Sequence, residues 1–302
     1  MSIKLGVDLG GSKTEIIALD NDGKTLLRRR VPTPSGDYQA TLTMINDLVT
    51  HADSELGARY PIGFGTPGSP SPIDGRMRNC NSTCLNGKTL HRDLREMLRR
   101  PVALANDANC LALSEATDGA GAGAQSVFAV IIGTGVGAGI VINGEVLQGA
   151  NGIAGEWGHN PLPAPRDDER PGALCYCNRH GCIETFLSGP GITRDHFEVC
   201  GEQLEPPVIA VRAAAQNANC TATISRYEQR LARALAYVIN ILDPNVIVLG
   251  GGLSNLTQLY ENVPRLWRPY IFSDCVGSKL LRNQHGDSSG VRGAAWLAGT
   301  GE

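Results

Sequence analysis

Gly6-Val7-Asp8-Leu9-Gly10-Gly11-Ser12-Lys13-Thr14 opens the chain as an apolar strand running into a glycine turn, and Glu15-Ile16-Ile17-Ala18-Leu19 returns from it. Two glycines at a hairpin tip let backbone N–H groups approach a bulky anion with no side chain in the way. Asp8, at the strand end, would face a bound cation, while the Ser12 hydroxyl and the Lys13 ammonium complete a phosphate cradle. An ordinary Gly-Gly hairpin turn reads the same way, so this stretch takes its meaning from the rest of the chain.

Outward from it, strands alternate with helices. Residues 3–9 and 14–20 form a hairpin and 24–31 a third strand. Residues 38–56 keep Leu42, Ile45, Leu48, Val49, Ala52 and Leu56 on one helical face. Pro61–Gly65 is a short strand, 90–100 a short basic helix, 102–105 a strand, and Asn106-Asp107 begins a helix to about Ala116. The small-residue run Gly119–Ala124 marks a hinge. Beyond it, strands 126–132 and 139–142 joined by Gly133-Thr134-Gly135-Val136-Gly137-Ala138 repeat the opening design, so the two halves read as related ATP-cradling units. The loop 160–182 has no periodicity, 222–242 is the clearest helix, Val246–Leu249 is a buried strand ending in Gly250-Gly251-Gly252, and 290–297 is a closing helix.

A chain of 302 residues predicts two domains. We expect residues 1–118, completed by a C-terminal helix over 288–302, and residues 119–287, which contain the cysteine loop 159–184. A net charge of −3 offers no basic face for nucleic acid. No apolar run reaches the length of a membrane helix, and the N-terminus lacks the plan of a signal peptide. Nine cysteines, odd in number and scattered, do not form a disulfide framework. A reduced cytoplasm is the expected location.

Four places carry chemistry. His159, Cys175, Cys177 and Cys182 make a Cys₃His set, the ligand type of closed, structural zinc. Incidental thiols or a disulfide are the alternatives, but a loop with no fold of its own needs a cross-link. Asn106-Asp107 stands at a strand-to-helix junction, where an acidic residue is commonly an N-cap. The functional reading makes Asp107 a general base for an attacking hydroxyl. Glu156 and Glu184 flank the zinc loop and suit vicinal sugar hydroxyls, and His159 has a second nitrogen to offer beside its metal-binding one. Gly250-Gly251-Gly252 allows close approach of a flat ring such as adenine, or is a simple turn.

Taken together, Ile132–Ile140, Gly149 and Gly155-Glu156-Trp157-Gly158-His159 resemble the signature of the repressor/ORF/kinase (ROK) sugar-kinase family. The Asp8–Lys13 turn, Asn106-Asp107 and the cysteine loop follow in family order, so the resemblance covers essentially the whole chain. Asn81-Ser82-Thr83, Asn106–Ala112 and His285–Gly293 are similar to bacterial fructokinases of the manno(fructo)kinase type.

The resemblance implies an α/β, actin/hexokinase-like (ribonuclease H-like) ATPase fold, with two domains around a cleft and a zinc-bound loop. ATP would be held by Asp8, Gly10, Gly11, Ser12 and Lys13, by Gly133, Thr134, Gly135, Val136 and Gly137, and by Gly251 and Gly252, with Mg²⁺ on the phosphates. Asp107 matches the catalytic base; Gly68, Asn81, Asn106, Glu156, His159 and Glu184 match positions contacting sugar hydroxyls. The implied activity is ATP-dependent phosphorylation of the 6-hydroxyl of fructose, with mannose as a further substrate, in a homodimer. A kinase for glucose or an N-acetylated hexosamine is the alternative, and a sugar-responsive transcriptional regulator a remoter one. Asn178, Ser12 and Cys84 depart from the family's commoner Gly, Thr and Trp, and Cys84 bears on sugar selectivity.

Overall fold

The computed structural model describes residues 2–298. Its strands are β1 (Lys4–Leu9), β2 (Lys13–Leu19), β3 (Thr25–Pro32), β4 (Ile62–Thr66), β5 (Ser69–Pro70), β6 (Met77–Arg78), β7 (Val102–Asn106), β8 (Ser126–Ile132), β9 (Val136–Ile142), β10 (Glu145–Val146), β11 (Val246–Gly250) and β12 (Lys279–Arg282). The helices are α1 (Tyr38–Leu56), α2 (Leu90–Leu98), α3 (Asp107–Thr117), α4 (Ile183–Leu187), α5 (Gly189–Cys200), α6 (Pro206–Ala214), α7 (Ala218–Leu242), α8 (Leu259–Leu266) and α9 (Ser289–Leu297). The chain divides into a first unit of Met1–Gly123, Gly139–Ala154 and Asp287–Glu302, and a second of Ala124–Ala138 and Gly155–Gly286. The expected division at 118/119 differs from this: the chain leaves the first unit after Gly123, and segment 139–154 groups with the first unit. The C-terminal helix, expected over 288–302, is α9 over Ser289–Leu297, and residues 299–302 lie outside the described ones.

The first sheet has the order β3-β2-β1-β4-β7. β1–β2 and β2–β3 are antiparallel, β1–β4 and β4–β7 parallel. Asp8 registers with Gly65 and Thr66 with Asn106. The parallel register thereby brings Asp8 and Asn106 to the carboxyl end of the sheet, the edge where open α/β sheets hold ligands. Helix α1 follows its sequence pattern: Asp37 caps it by accepting from the Ala40 amide at 3.0 Å, and Gly57 ends it at φ 71°. Helix α9 lies directly on the strands because two of them carry glycine there. A Cβ on Gly6 would stand 2.3 Å from the Ala295 nitrogen, and one on Gly63 would stand 2.1 Å from the Ala294 oxygen.

The second sheet repeats that order as β10-β9-β8-β11-β12. β11 is buried along its length and pairs in parallel with β8 and β12. Strand β9 begins at Val136, so the turn before it is shorter than the sequence suggested, and Val136 and Gly137 are strand residues. Helix α7 buries Ile224, Tyr227, Leu231 and Leu235 and begins at Ala218, where Asn217 caps it by accepting from the Cys220 amide at 3.1 Å.

Three arginines on α7 hold the buried Glu169 and the half-buried Asp195. Arg230 reaches Glu169 at 2.9 Å and Asp195 at 2.6 Å, Arg233 reaches Glu169 at 2.7 Å, and Arg226 reaches Asp195 at 2.7 Å. Burial alone would raise the Glu169 carboxyl, but the guanidiniums and the Arg166 amide bring it down to about 2. This network ties the aperiodic loop and α5 to α7. Among the described residues no helix is long and apolar enough to cross a membrane, and all nine cysteines are free thiols.

Candidate active site

In the first unit the glycine turn is clamped by Thr33. Its hydroxyl donates to the Gly10 carbonyl at 2.9 Å and its amide to the Ser12 carbonyl at 3.0 Å, while the Gly10 amide reaches the Lys13 carbonyl at 3.1 Å. A Cβ on Gly10 would stand 2.7 Å from the Lys13 oxygen, so glycine is required for this closure. Ser12 and Lys13 are exposed. Asp8 is partly buried, and its carboxyl is raised to about 6 by burial and then by the charges of Asp107 and Glu15. A Cβ on Gly290 would lie only 3.1 Å from Asp8 Oδ2. A carboxylate short of positive charge, beside a glycine that leaves space, fits a hard cation such as Mg²⁺.

The capping role belongs to Asn106 rather than to Asp107: Asn106 Oδ1 accepts from the Asn109 amide at 2.7 Å. Asp107 is the first helical residue, is exposed, and accepts from the Ala108 amide at 2.8 Å. Gly68 adopts φ +71°, and a Cβ there would stand 2.3 Å from the Arg78 oxygen, so glycine is needed where β5 meets β6. Asn81 is exposed and accepts from the Ser82 amide at 2.8 Å. A cavity of about 270 Å³ brings Gly10, Gly11, Asn81 and Cys84 together, but does not include Asp8, Ser12, Lys13 or Gly68.

In the second unit the four expected metal ligands converge. Their donor atoms all lie within 4.8 Å of one another. Cys177 Sγ is 3.6 Å from Cys182 Sγ, and Cys175 Sγ is 3.5 Å from His159 Nδ1. Tetrahedral zinc with Zn–S bonds of about 2.3 Å requires ligand separations of this size, so the donor set fits. Cys177 is lowered to about 6, chiefly by Arg179, whereas burial raises Cys182 to about 12. A bound cation supplies the charge that the buried thiol needs to ionise.

Glu156 is exposed at the entry to the Trp157–His159 turn. That turn is seated by Trp157, which packs edge-on to Phe128 at 5.6 Å, and by Gly158, where a Cβ would meet the Val136 oxygen at 2.1 Å. Glu184, in the first turn of α4, accepts from the Val136 amide at 2.9 Å. That amide, expected at a phosphate, is therefore bonded to a carboxylate instead. His159 Nε2 lies 2.7 Å from the Tyr176 hydroxyl, a partner that residue spacing does not predict.

A larger cavity, about 1030 Å³, is lined by Gly133, Thr134, Gly189, Gly252 and Asn255, with the α5–α6 segment on its other side. Gly133 accepts from the Gly189 amide at 2.7 Å. Gly251 supports the floor at φ +82°, where a Cβ would stand 2.6 Å from the Ile132 oxygen. Gly135, Val136 and Gly137 do not line this cavity. The α5 and α6 residues escaped the sequence reading, although Ser188-Gly189-Pro190 is a helix-start signal, an N-cap serine before a first-turn proline.

The model of the ROK family matches residues 4–300. The N-acetyl-D-glucosamine kinase of Photobacterium profundum is 38% identical over 296 residues, covering 97% of this chain and 98% of that protein. The crystal structure of the ROK hexokinase from Thermus thermophilus has a TM-score of 0.87 at 29% identity, over 98% of this chain and 97% of that one. A ROK family glucokinase from Streptomyces griseus, in complex with glucose and AMPPNP, has a TM-score of 0.79 at 25% identity, over 99% and 100%. The fold is the actin/hexokinase-like fold of sugar kinases. The curated relative acts on an N-acetylated sugar and does not carry the expectation of fructose.

Proposed function

The chain belongs to the ROK family, and from that premise we propose that it transfers the γ-phosphoryl group of ATP to the 6-hydroxyl of a hexose, with Asp107 as general base. That it is an ATP-dependent sugar kinase follows from the family and its relatives. The observation that carries the role of Asp107 is its place at the carboxyl end of β7 with the helix cap supplied by Asn106. Its carboxylate orients the hydroxyl and accepts its proton as the bond to phosphorus forms.

Asn81, Asn106, Glu156, His159 and Glu184 are the residues that meet the sugar, and Gly68 shapes the β5–β6 hairpin. The Gly10–Lys13 turn holds phosphate oxygens, while Gly133, Thr134, Gly251 and Gly252 receive the nucleoside. Asp8 faces the Mg²⁺ that accompanies ATP, which supplies charge neutralisation of the phosphates. His159, Cys175, Cys177 and Cys182 hold a structural zinc that cross-links the loop carrying the sugar-binding residues. The working form is a homodimer.

Two sugars compete. N-acetyl-D-glucosamine is supported by the relatives. Fructose is supported by Asn81-Ser82-Thr83 and His285–Gly293, which are similar to fructokinases. Sugar-dependent ADP release measured with fructose, mannose, glucose and the two N-acetylated hexosamines decides between them. Sugar binding without ADP release on any of these would overturn the kinase reading in favour of a regulator.

A further inference from the structure

We propose that Tyr176 is a specificity-determining residue of the hexose site, its hydroxyl occupying the second ring nitrogen of His159 and limiting which sugar substituent can be read there. The inference rests on the kinase reading above, in which His159, Glu156 and Glu184 meet the sugar.

The direction of the hydrogen bond follows from the ligand set. Nδ1 of His159 faces Cys175 Sγ at 3.5 Å and is the nitrogen for the metal. A neutral imidazole that gives its Nδ1 lone pair to a metal carries its proton on Nε2. Nε2 therefore donates to the Tyr176 oxygen, 2.7 Å away, and the phenol keeps its own proton to donate onward. The rings stand edge to face, 4.9 Å apart at 87°.

Tyr176 lies between two metal ligands, Cys175 and Cys177, so its backbone is pinned while its side chain is 73% exposed. Core packing does not explain a tyrosine held so far into solvent; the bond to His159 does. A sugar hydroxyl brought to this spot can accept a hydrogen bond from the phenol with the His159 bond intact. A bulkier acetamido group must displace the ring and leave the Nε2 donor to be satisfied again, a loss that recognition sites use to discriminate.

The test compares Tyr176→Gly and Tyr176→Phe with the wild-type chain, using fructose, glucose and N-acetylglucosamine. Three readouts are taken: kcat/KM for each sugar, calorimetric sugar binding without ATP, and zinc content. Tyr176→Gly is expected to raise the ratio for the N-acetylated over the unsubstituted hexose at least tenfold, in binding as well as turnover, with zinc content and KM for ATP unchanged. Tyr176→Phe keeps the ring, and should raise KM for unsubstituted hexose with kcat within about twofold and no gain for the acetylated sugar. A ratio within twofold of wild type in Tyr176→Gly, or loss of zinc in that variant, overturns the proposal. Absence of turnover on every hexose by the wild-type chain would instead overturn the kinase reading, and the calorimetric ratio still tests Tyr176.

Discussion

The Val136 amide donates to Glu184 Oε2 across 2.9 Å, which ties a proposed sugar-binding carboxylate to the strand leaving the Gly133–Gly135 turn. In the proposed mechanism one side chain thus bears on both substrates. A hydrogen bond to a charged group contributes roughly 1.5–3 kcal/mol. Glu184→Ala should therefore lower kcat/KM for the hexose at least tenfold and also raise KM for ATP about threefold. Glu184→Gln can still accept from the Val136 amide, so it should lose hexose affinity while KM for ATP stays near wild type. Steady-state kinetics with each substrate varied in turn separate the two effects.

Asn106 caps α3, while the proposed mechanism assigns the adjacent Asp107 the role of general base. Asp107→Asn should fold with an unchanged melting profile and lose about 10²–10⁴-fold in kcat, the range of general-base catalysis. Asn106→Ala removes the acceptor of the Asn109 amide and should cost about 1 kcal/mol in urea unfolding. Activity of Asp107→Asn within tenfold of wild type would remove this carboxylate from the mechanism.

Asp8 imposes a pH dependence of unusual sign for an aspartate. Burial, Asp107 and Glu15 raise it from 3.8 to about 6 in the folded chain. Between those values the native state holds a proton that the unfolded chain releases, so this group's contribution to stability falls as pH rises from about 4 to 6. Asp8→Asn should remove that part of the slope, leaving the variant more stable than wild type at pH 7.5 relative to pH 4. Thermal melts at both pH values, with kinase activity recorded as lost, check it.

Metal analysis of the purified chain should find about one zinc per molecule, held through the Cys₃His set. Cys177→Ser should lower hexose affinity before it touches ATP affinity, because the cluster and the larger cavity share no lining residue. Since the thiols must be ionised to bind metal, protons compete with the ion and zinc retention should weaken at acid pH. Dialysis at pH 5 and pH 8 with a chelator, followed by calorimetry with each substrate, measures both effects.

Much of the architecture was legible locally. Helix α1 runs over the residues its apolar spacing predicts, and β8 matches residue for residue, because helix and strand periods are written in neighbouring side chains. Helices α4, α5, α6 and α8 were not read. α4 has five residues and α8 carries an internal proline, so neither sustains a repeat long enough to register. The candidate zinc ligands were legible because ligand chemistry is a matter of residue type. The partner of the Val136 amide was not, because it comes from 48 positions away.

By itself, then, the sequence determined much of the order of elements, the two repeated strand–turn–strand openings and the identity of the candidate metal ligands, all consequences of short-range pattern and side-chain chemistry. Tertiary structure alone decided that Gly6 and Gly63 serve as the bed for α9, that the α5–α6 segment walls the larger cavity, and that Tyr176 lies on His159. Those are contacts between segments distant along the chain or across an aperiodic loop. Their energies depend on which surfaces the packed core brings together, and no local periodicity records that.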